Sequence, residues 1–151
     1  MLRSLLLGAA AGARSLTALA AVSDAARRGA LPMDAAPPRW LANPVVSTAL
    51  KLMAAAEIWG DKQAQAPDRT TPLGMAARVL GGGLAGAAVA SRKYLVLGAL
   101  LGAGAAVGAA YLTVAGRMAA LERFGQTRTG VIEDALTVAA TQAVPLRGRR
   151  H

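Results

Sequence analysis

The sequence predicts an all-α integral membrane protein: a bundle of about four spanning helices followed by a C-terminal amphipathic helix. Three observations predict it. Residues 94–116 carry no charged side chain, and a bilayer core needs only roughly 20 residues. Of the 151 residues, 54% are hydrophobic but only 3% are aromatic, so large core-filling side chains are scarce. Basic residues lie between the apolar stretches, as at membrane-helix ends. Residues 1–151 are expected to form one membrane domain.

The first predicted span covers residues 2–23, where the only charged side chains are Arg3 and Arg14. A central arginine costs roughly 2.5–3.5 kcal/mol, which the leucines of this stretch about offset. We therefore expect one helix that inserts within a bundle, with Arg14 facing inward. Arg14 argues against a cleaved signal peptide, while the absence of acidic residues before Asp24 leaves a mitochondrial presequence as an open alternative.

The next two predicted spans cover residues 41–59 and residues 73–91, and the fourth covers residues 94–116. Prolines between the first and second spans prevent a continuous helix there. Thr71 is placed to cap the third helix, with Pro72 at its first position.

Aromatic residues bracket two of these spans: Trp40 and Trp59 the second, Tyr94 and Tyr111 the fourth. At the helical rise, the two pairs are about 28 Å and about 25 Å apart, close to the hydrocarbon thickness of a bilayer. This arrangement is typical of an aromatic belt at the membrane interfaces.

After residue 116 the chain becomes more polar. Residues 131–144 are predicted to form a short amphipathic helix that carries Glu133 and Asp134, followed by a basic tail. With four spans, both termini lie on one side, and the positive-inside rule favours the cytoplasm by a modest excess of basic residues.

Ionisable side chains within or near apolar spans usually face the interior of a bundle. We predict that four of them form a polar cluster: Arg14, Glu57, Asp61 and Arg78. Such a cluster either locks the geometry of the bundle or lines a polar pathway.

Small residues recur at four-residue spacing, which lets helices approach closely in lipid. The predicted helix-packing positions are Gly8, Gly12, Gly82, Gly86, Gly98, Gly102, Gly104 and Gly108.

Several classes of function lack their key residues. Cysteine is absent and the only histidine is His151, so thiol chemistry, thiolate metal sites and histidine-based catalysis are excluded. We expect no enzyme activity, no catalytic residue, no cofactor and no metal site. The net charge of +9 is spread between apolar stretches instead of forming one basic face, so nucleic acid is not an expected partner.

Several short motifs stand out together with the Gly/Ala-rich helix: Gly12, Arg14, Ser15, Glu57, Asp61, Lys62, Pro67, Arg69, Pro72, Arg78, Glu133, Asp134 and Ala135. Through these residues the chain resembles a known family of small bacterial membrane proteins, the family called domain of unknown function 4126. Gln63 and Ala64 depart from it, where an apolar residue and a proline are expected. The resemblance implies a multi-pass protein of the bacterial inner membrane and brings no established activity.

Two hypotheses for function follow. In the first, the polar cluster supports permeation or transport of an ion or small solute. In the second, the protein is a structural or accessory membrane protein that assembles, as a homo-oligomer or with a partner, through its glycine-rich helix faces. A membrane-embedded enzyme ranks last because no nucleophile–base pair is visible.

Overall fold

The computed structural model describes residues 1–35, 37–60 and 71–124. These residues form five α-helices: α1 Leu2–Ala13, α2 Ser15–Arg27, α3 Pro44–Gly60, α4 Pro72–Ala88 and α5 Leu95–Phe124. Short 3-10 helices, Arg39–Ala42 and Arg92–Tyr94, precede α3 and α5. Within the described ranges there is no β-strand, only an isolated antiparallel bridge between Ala35 and Ser91. The predicted all-α class is confirmed.

One described helix is long and apolar enough to cross a membrane: the segment Arg92–Ala115, which includes most of the predicted fourth span. Only 22% of its most apolar window is buried inside the protein. Most residues of this window therefore keep part of their surface exposed, unlike those in the core helix of a soluble domain. Among the described residues, only one of the four predicted spans therefore meets this criterion of length and composition.

The first predicted helix differs from expectation. Residues 2–23 do not form one helix, because the chain breaks at Arg14, which has extended backbone angles (φ −144°, ψ 105°) between α1 and α2. The expectation of one continuous helix through Arg14 is therefore wrong. The predicted amphipathic helix at residues 131–144 and the residues of the tail lie outside the described residues.

Local sequence explains several helix ends. Thr71 caps α4 as predicted, accepting a hydrogen bond from the Gly74 amide at 3.3 Å, with Pro72 at the first helical position. Helix α2 ends at Arg27, and two residues later Gly29 has a positive φ of 63°, which suits glycine. The Gly29 and Ala30 amides donate to carbonyl oxygens of the last helical turn, at 3.1 and 2.8 Å.

Contacts along the helices fix their directions. Ser4 in α1 donates a hydrogen bond to the Gly86 carbonyl oxygen of α4, while Gly12, at the other end of α1, meets Arg78. Helices α1 and α4 are therefore antiparallel. A Cβ added to Gly8 would strike Gly102, and one added to Gly12 would strike Ala106, so α1 and α5 run in parallel.

Helix α2 turns back beside α1. The loop that follows α2 pairs with the α4–α5 connection: the Arg92 amide donates to the Asp34 carbonyl oxygen at 3.3 Å. The same connection follows Gly86, which contacts the first turn of α1. The start of α1 and the chain after α2 thus lie at one end of the bundle, and α1 and α2 form a helical hairpin with Arg14 at its tip.

The hydrophobic core lies between this hairpin and α4, with one contribution from α5. Its buried members include Leu7, Leu19, Val22, Ala85 and Ala106. These side chains are mostly small, as the composition requires, so the helices are held by close backbone approach instead of by large interlocking residues.

Candidate polar site at the tip of the helical hairpin

The break at Arg14 exposes two sets of backbone groups in the interior of the bundle. The end of α1 presents carbonyl oxygens, and the start of α2 presents amide N–H groups that have no partner within their own helix. Buried backbone groups of this kind are costly unless other groups bind them. Side chains from α3 and α4 bind both ends.

Glu57 of α3 binds the N-terminus of α2. One carboxylate oxygen accepts hydrogen bonds from the Ser15 amide at 2.9 Å and the Ser15 hydroxyl at 3.0 Å. The other oxygen accepts from the Leu16 amide at 3.1 Å. A carboxylate is favoured at this end because the helix dipole and the free amides both attract negative charge.

Arg78 of α4 binds the opposite pole, the C-terminus of α1. Its Nε donates to the Gly12 carbonyl oxygen at 3.0 Å, and its Nη1 donates to Gly74 in its own helix at 2.9 Å. The residue is only 6% exposed. A guanidinium suits this position because the C-terminal end of a helix carries partial negative charge.

Arg14 lies between the two ends and is almost fully buried, at 2% exposed. Its Nη1 donates to the backbone carbonyl oxygen of Glu57 at 3.4 Å. Together, Arg14, Glu57 and Arg78 form the tip cluster, a charged group within an otherwise apolar bundle. The Thr17 hydroxyl oxygen, near the tip in α2, is also buried and has no hydrogen-bond partner among the described residues.

Close glycine packing holds the tip against α4 and α5. At six of the eight predicted packing glycines, an added Cβ would come within 3.0 Å of a neighbouring helix; these are Gly8, Gly12, Gly82, Gly86, Gly98 and Gly102. Gly104 and Gly108 differ, because an added Cβ would meet nothing within 4 Å among the described residues. Six of the eight predicted packing positions thus contact neighbouring helices, and two face away from the described chain.

The structure brings together three of the four predicted cluster residues, Arg14, Glu57 and Arg78. Asp61 lies outside the described residues. Sequence reasoning did not identify the pairing of Ser15 with Glu57. At Gly81, an added Cβ would lie 2.5 Å from the Ser15 carbonyl oxygen. Ser15 is the first residue of α2 and not its cap, so a capping pattern gave no signal for this pairing.

A second charged group lies at the far end of the hairpin. Asp24 at the end of α2 pairs with Lys51 of α3 and with Arg27 and Arg28 of its own helix. The pKa of Asp24 lies below its ordinary value, mainly because Lys51 donates a hydrogen bond to its carboxylate. Burial raises this pKa in part, and the charges of Arg28 and Lys51 lower it further.

Among the described residues, no three acidic or histidine side chains lie close enough to hold a metal ion. The tip cluster instead offers hydrogen-bonding groups of both polarities: helix-end carbonyls and amides, two guanidinium groups and a carboxylate. In the structure these groups bind one another: the carboxylate accepts from the α2 amides, and the guanidinium groups donate to helix-end carbonyl oxygens.

Comparison with protein-family models gives one match, to the model described as "Domain of unknown function (DUF4126)", over residues 1–144. Neither the comparison with curated proteins nor that with solved structures gave a match.

Proposed function

The chain belongs to this family of domains of unknown function, and we propose that it is a multi-pass membrane protein that conducts an ion or small solute. The geometry of the chain itself is the basis of this proposal, since the family brings no established activity. In this proposal the species crosses the bilayer at the tip cluster. The membrane is the bacterial inner membrane, as the family resemblance implies, and the role is permeation without catalysis.

The depth of the tip cluster carries the proposal. Gly12, two residues before Arg14, lies beside Ala106 of α5, and Ala106 is close to the middle of the charge-free residues 94–116. If α5 crosses the membrane, the cluster lies near the bilayer midplane. Ionisable groups at that depth are expensive, and they typically mark an ion or substrate pathway.

The broken helix supports the same function. Non-helical backbone at membrane depth is tolerated only where it is enclosed by protein or lines a water-filled cavity. Transporters use the ends of such interrupted helices to bind ions and polar substrates near the midplane. Here α1 is 12 residues long and α2 is 13, so each helix extends about 18–20 Å and reaches only part of the way across.

Flux measurements in proteoliposomes test the proposal. We would measure proton, potassium, chloride and glycerol permeation with the wild-type chain and with Glu57→Gln, which keeps the shape of the side chain but removes its charge. We expect the wild type to accelerate at least one of these species and the variant to abolish that flux. Thr48→Ala is the matched control in α3, since Thr48 is exposed and bonds only within its own helix. If no species moves faster than in empty liposomes, or if Glu57→Gln conducts normally, the proposal is wrong.

Water access to the cluster gives a second test. The chain has no cysteine, so single cysteines report cleanly. We would place them at Thr17 and Ala54 near the hairpin–α3 contact, with Ala35 as a loop control and Leu101 as a membrane control. An impermeant thiol reagent should label Thr17 and Ala54 but not Leu101. Protection of both positions until denaturation would mean that the cluster is sealed and structural.

The outward face of α5 favours a second candidate function, structural assembly. Gly104 and Gly108 meet nothing in the described chain, and Tyr111 and Leu112 on the same helix are 59% and 75% exposed. A homo-oligomer would bury this face through close helix approach. Gly104→Leu or Gly108→Leu should then dissociate the assembly in mild detergent, whereas an unchanged elution volume would reject this candidate.

A further inference from the structure

The end of the bundle opposite the tip cluster gathers basic residues from four separate segments. The start of α1 lies there, because Ser4 bonds to Gly86. The chain after α2 and the α4–α5 connection join it there through the Asp34–Arg92 and Ala35–Ser91 contacts. We call this end the basic end; its six basic side chains are Arg3, Arg27, Arg28, Arg39, Arg92 and Lys93.

The positive charge of the basic end is mostly unneutralised and accessible. Arg27 and Arg28 keep 44% and 61% of their side-chain surface exposed, and Arg39, Arg92 and Lys93 are exposed as well. The acidic residues in the same segments are Asp24 and Asp34, and Asp24 already binds Arg27, Arg28 and Lys51. A net positive surface therefore faces outward.

Exposed apolar and aromatic side chains directly adjoin these charges. Trp40 is 47% exposed next to Arg39, and Tyr94 is 44% exposed with the Lys93 Nζ 5.3 Å from its ring centre. Beyond them, Val96 is 69% exposed on α5 and Leu2 is 70% exposed on α1. Cations and aromatic rings that border an apolar surface are typical of the headgroup level of a membrane.

From this juxtaposition we infer that the basic end binds the phosphodiester headgroups of acidic phospholipids in the leaflet that it faces. Arginine suits this ligand because its fork of donors can bind two phosphate oxygens at once. Acyl chains would cover the exposed apolar residues beside the arginines. The inference rests on the membrane location proposed above and is independent of transport.

The test measures lipid preference in the intact chain. The protein would be reconstituted in phosphatidylcholine, with and without an equal amount of phosphatidylglycerol, and its association with spin-labelled lipids of each class would be compared. We expect the wild type to prefer phosphatidylglycerol. The triple variant Arg39→Gln, Arg92→Gln, Lys93→Gln should lose most of that preference. We expect the preference to fall by up to about fivefold for each charge removed.

Controls separate this result from general electrostatics and from misfolding. Arg117→Gln with Arg123→Gln removes charge near the opposite end of α5 and should keep the preference. The double variant Arg39→Lys, Arg92→Lys keeps the positive charge and should keep most of the preference for phosphatidylglycerol. It therefore distinguishes the loss of charge from a loss of preference through unfolding. Equal association of the wild type with both lipids, or loss of preference in the Arg117/Arg123 control alone, would overturn the inference. Failure of the wild type to insert into either bilayer would instead reject the membrane location.

Discussion

Glu57 and Arg78, two charged residues of the tip cluster, each bind a helix end that carries the opposite partial charge. Glu57 meets amides at the start of α2, and Arg78 meets a carbonyl at the end of α1. The charges thus replace backbone hydrogen bonds that the break at Arg14 removes. This arrangement explains how an apolar bundle tolerates an interrupted helix in its interior.

Removing the Glu57 carboxylate should therefore destabilise the fold by more than removing a carboxylate from the protein surface would. Glu57→Ala leaves the Ser15 and Leu16 amides without an acceptor, and we expect a loss of about 1–3 kcal/mol. Thermal unfolding in detergent micelles would measure it. Thr48→Ala, in the same helix, should change stability little; equal melting temperatures for the two variants would contradict the capping role of Glu57.

Asp24 gives the molecule a predictable acid sensitivity. Its pKa is lowered in the folded state, so it stabilises the fold above its unfolded pKa of about 4, and this contribution is lost as the pH falls through the folded value. We expect the free energy of unfolding to decline below about pH 4 by about 0.5–1 kcal/mol from this group. Asp24→Asn should remove that component, and Lys51→Met should reduce it. An identical acid profile for wild type and Asp24→Asn would contradict the assignment.

At the scale of the helices, sequence patterns predicted the apolar segments better than their internal continuity. Thr71 and Pro72 marked the start of α4 correctly because a cap is a local interaction. The break at Arg14 could not be predicted in the same way. A buried arginine is costly in a continuous helix as well as in a broken one. The broken helix becomes favourable only because Glu57 and Arg78, from distant segments of the chain, bind the two helix ends.

The site was predictable to a similar extent. Charge within apolar segments alone pointed to Arg14, Glu57 and Arg78, since such residues face a bundle interior. Their roles at the two helix ends depend on the reversal of α2 beside α1, which no spacing along the chain encodes. The small-residue pattern likewise identified faces that permit close approach but not which glycines meet a partner within the chain.

Two neighbouring glycines on α5 make that distinction testable. A methyl group added at Gly102 would collide with the Gly82 backbone, whereas one at Gly104 meets nothing within 4 Å in the part of the chain that the structure describes. We expect Gly102→Ala to destabilise the fold by about 1–3 kcal/mol through overpacking. Gly104→Ala should be neutral or stabilising by up to about 1 kcal/mol. Unfolding in detergent would compare them, and a reversed order would contradict the α4–α5 packing.

At the scale of the whole molecule, the hairpin gives the two tryptophans different depths in a bilayer from those that the sequence predicts. If residues 41–59 simply cross the membrane, Trp40 and Trp59 lie at opposite interfaces and are equally shallow. In the structure Trp59 follows Glu57 by two residues, at the level of the tip cluster and of Ala106. Trp40 lies instead at the basic end, where Ser23 bonds to the Leu41 carbonyl oxygen.

Depth-dependent fluorescence quenching distinguishes these arrangements, because both rings are exposed to the surroundings of the protein, Trp59 by 70% and Trp40 by 47%. Each would be measured alone, in the Trp40→Phe and Trp59→Phe variants, with lipids brominated either near the headgroup or deep in the acyl chain. We expect deep bromines to quench Trp59 most strongly and shallow bromines to quench Trp40. Equal shallow quenching would mean that the chain crosses the bilayer between Trp40 and Trp59, and the tip cluster would then lie near an interface instead of at the midplane. Deep quenching of Trp59 places the ends of an interrupted helix at the centre of the membrane, where a permeation pathway has to pass.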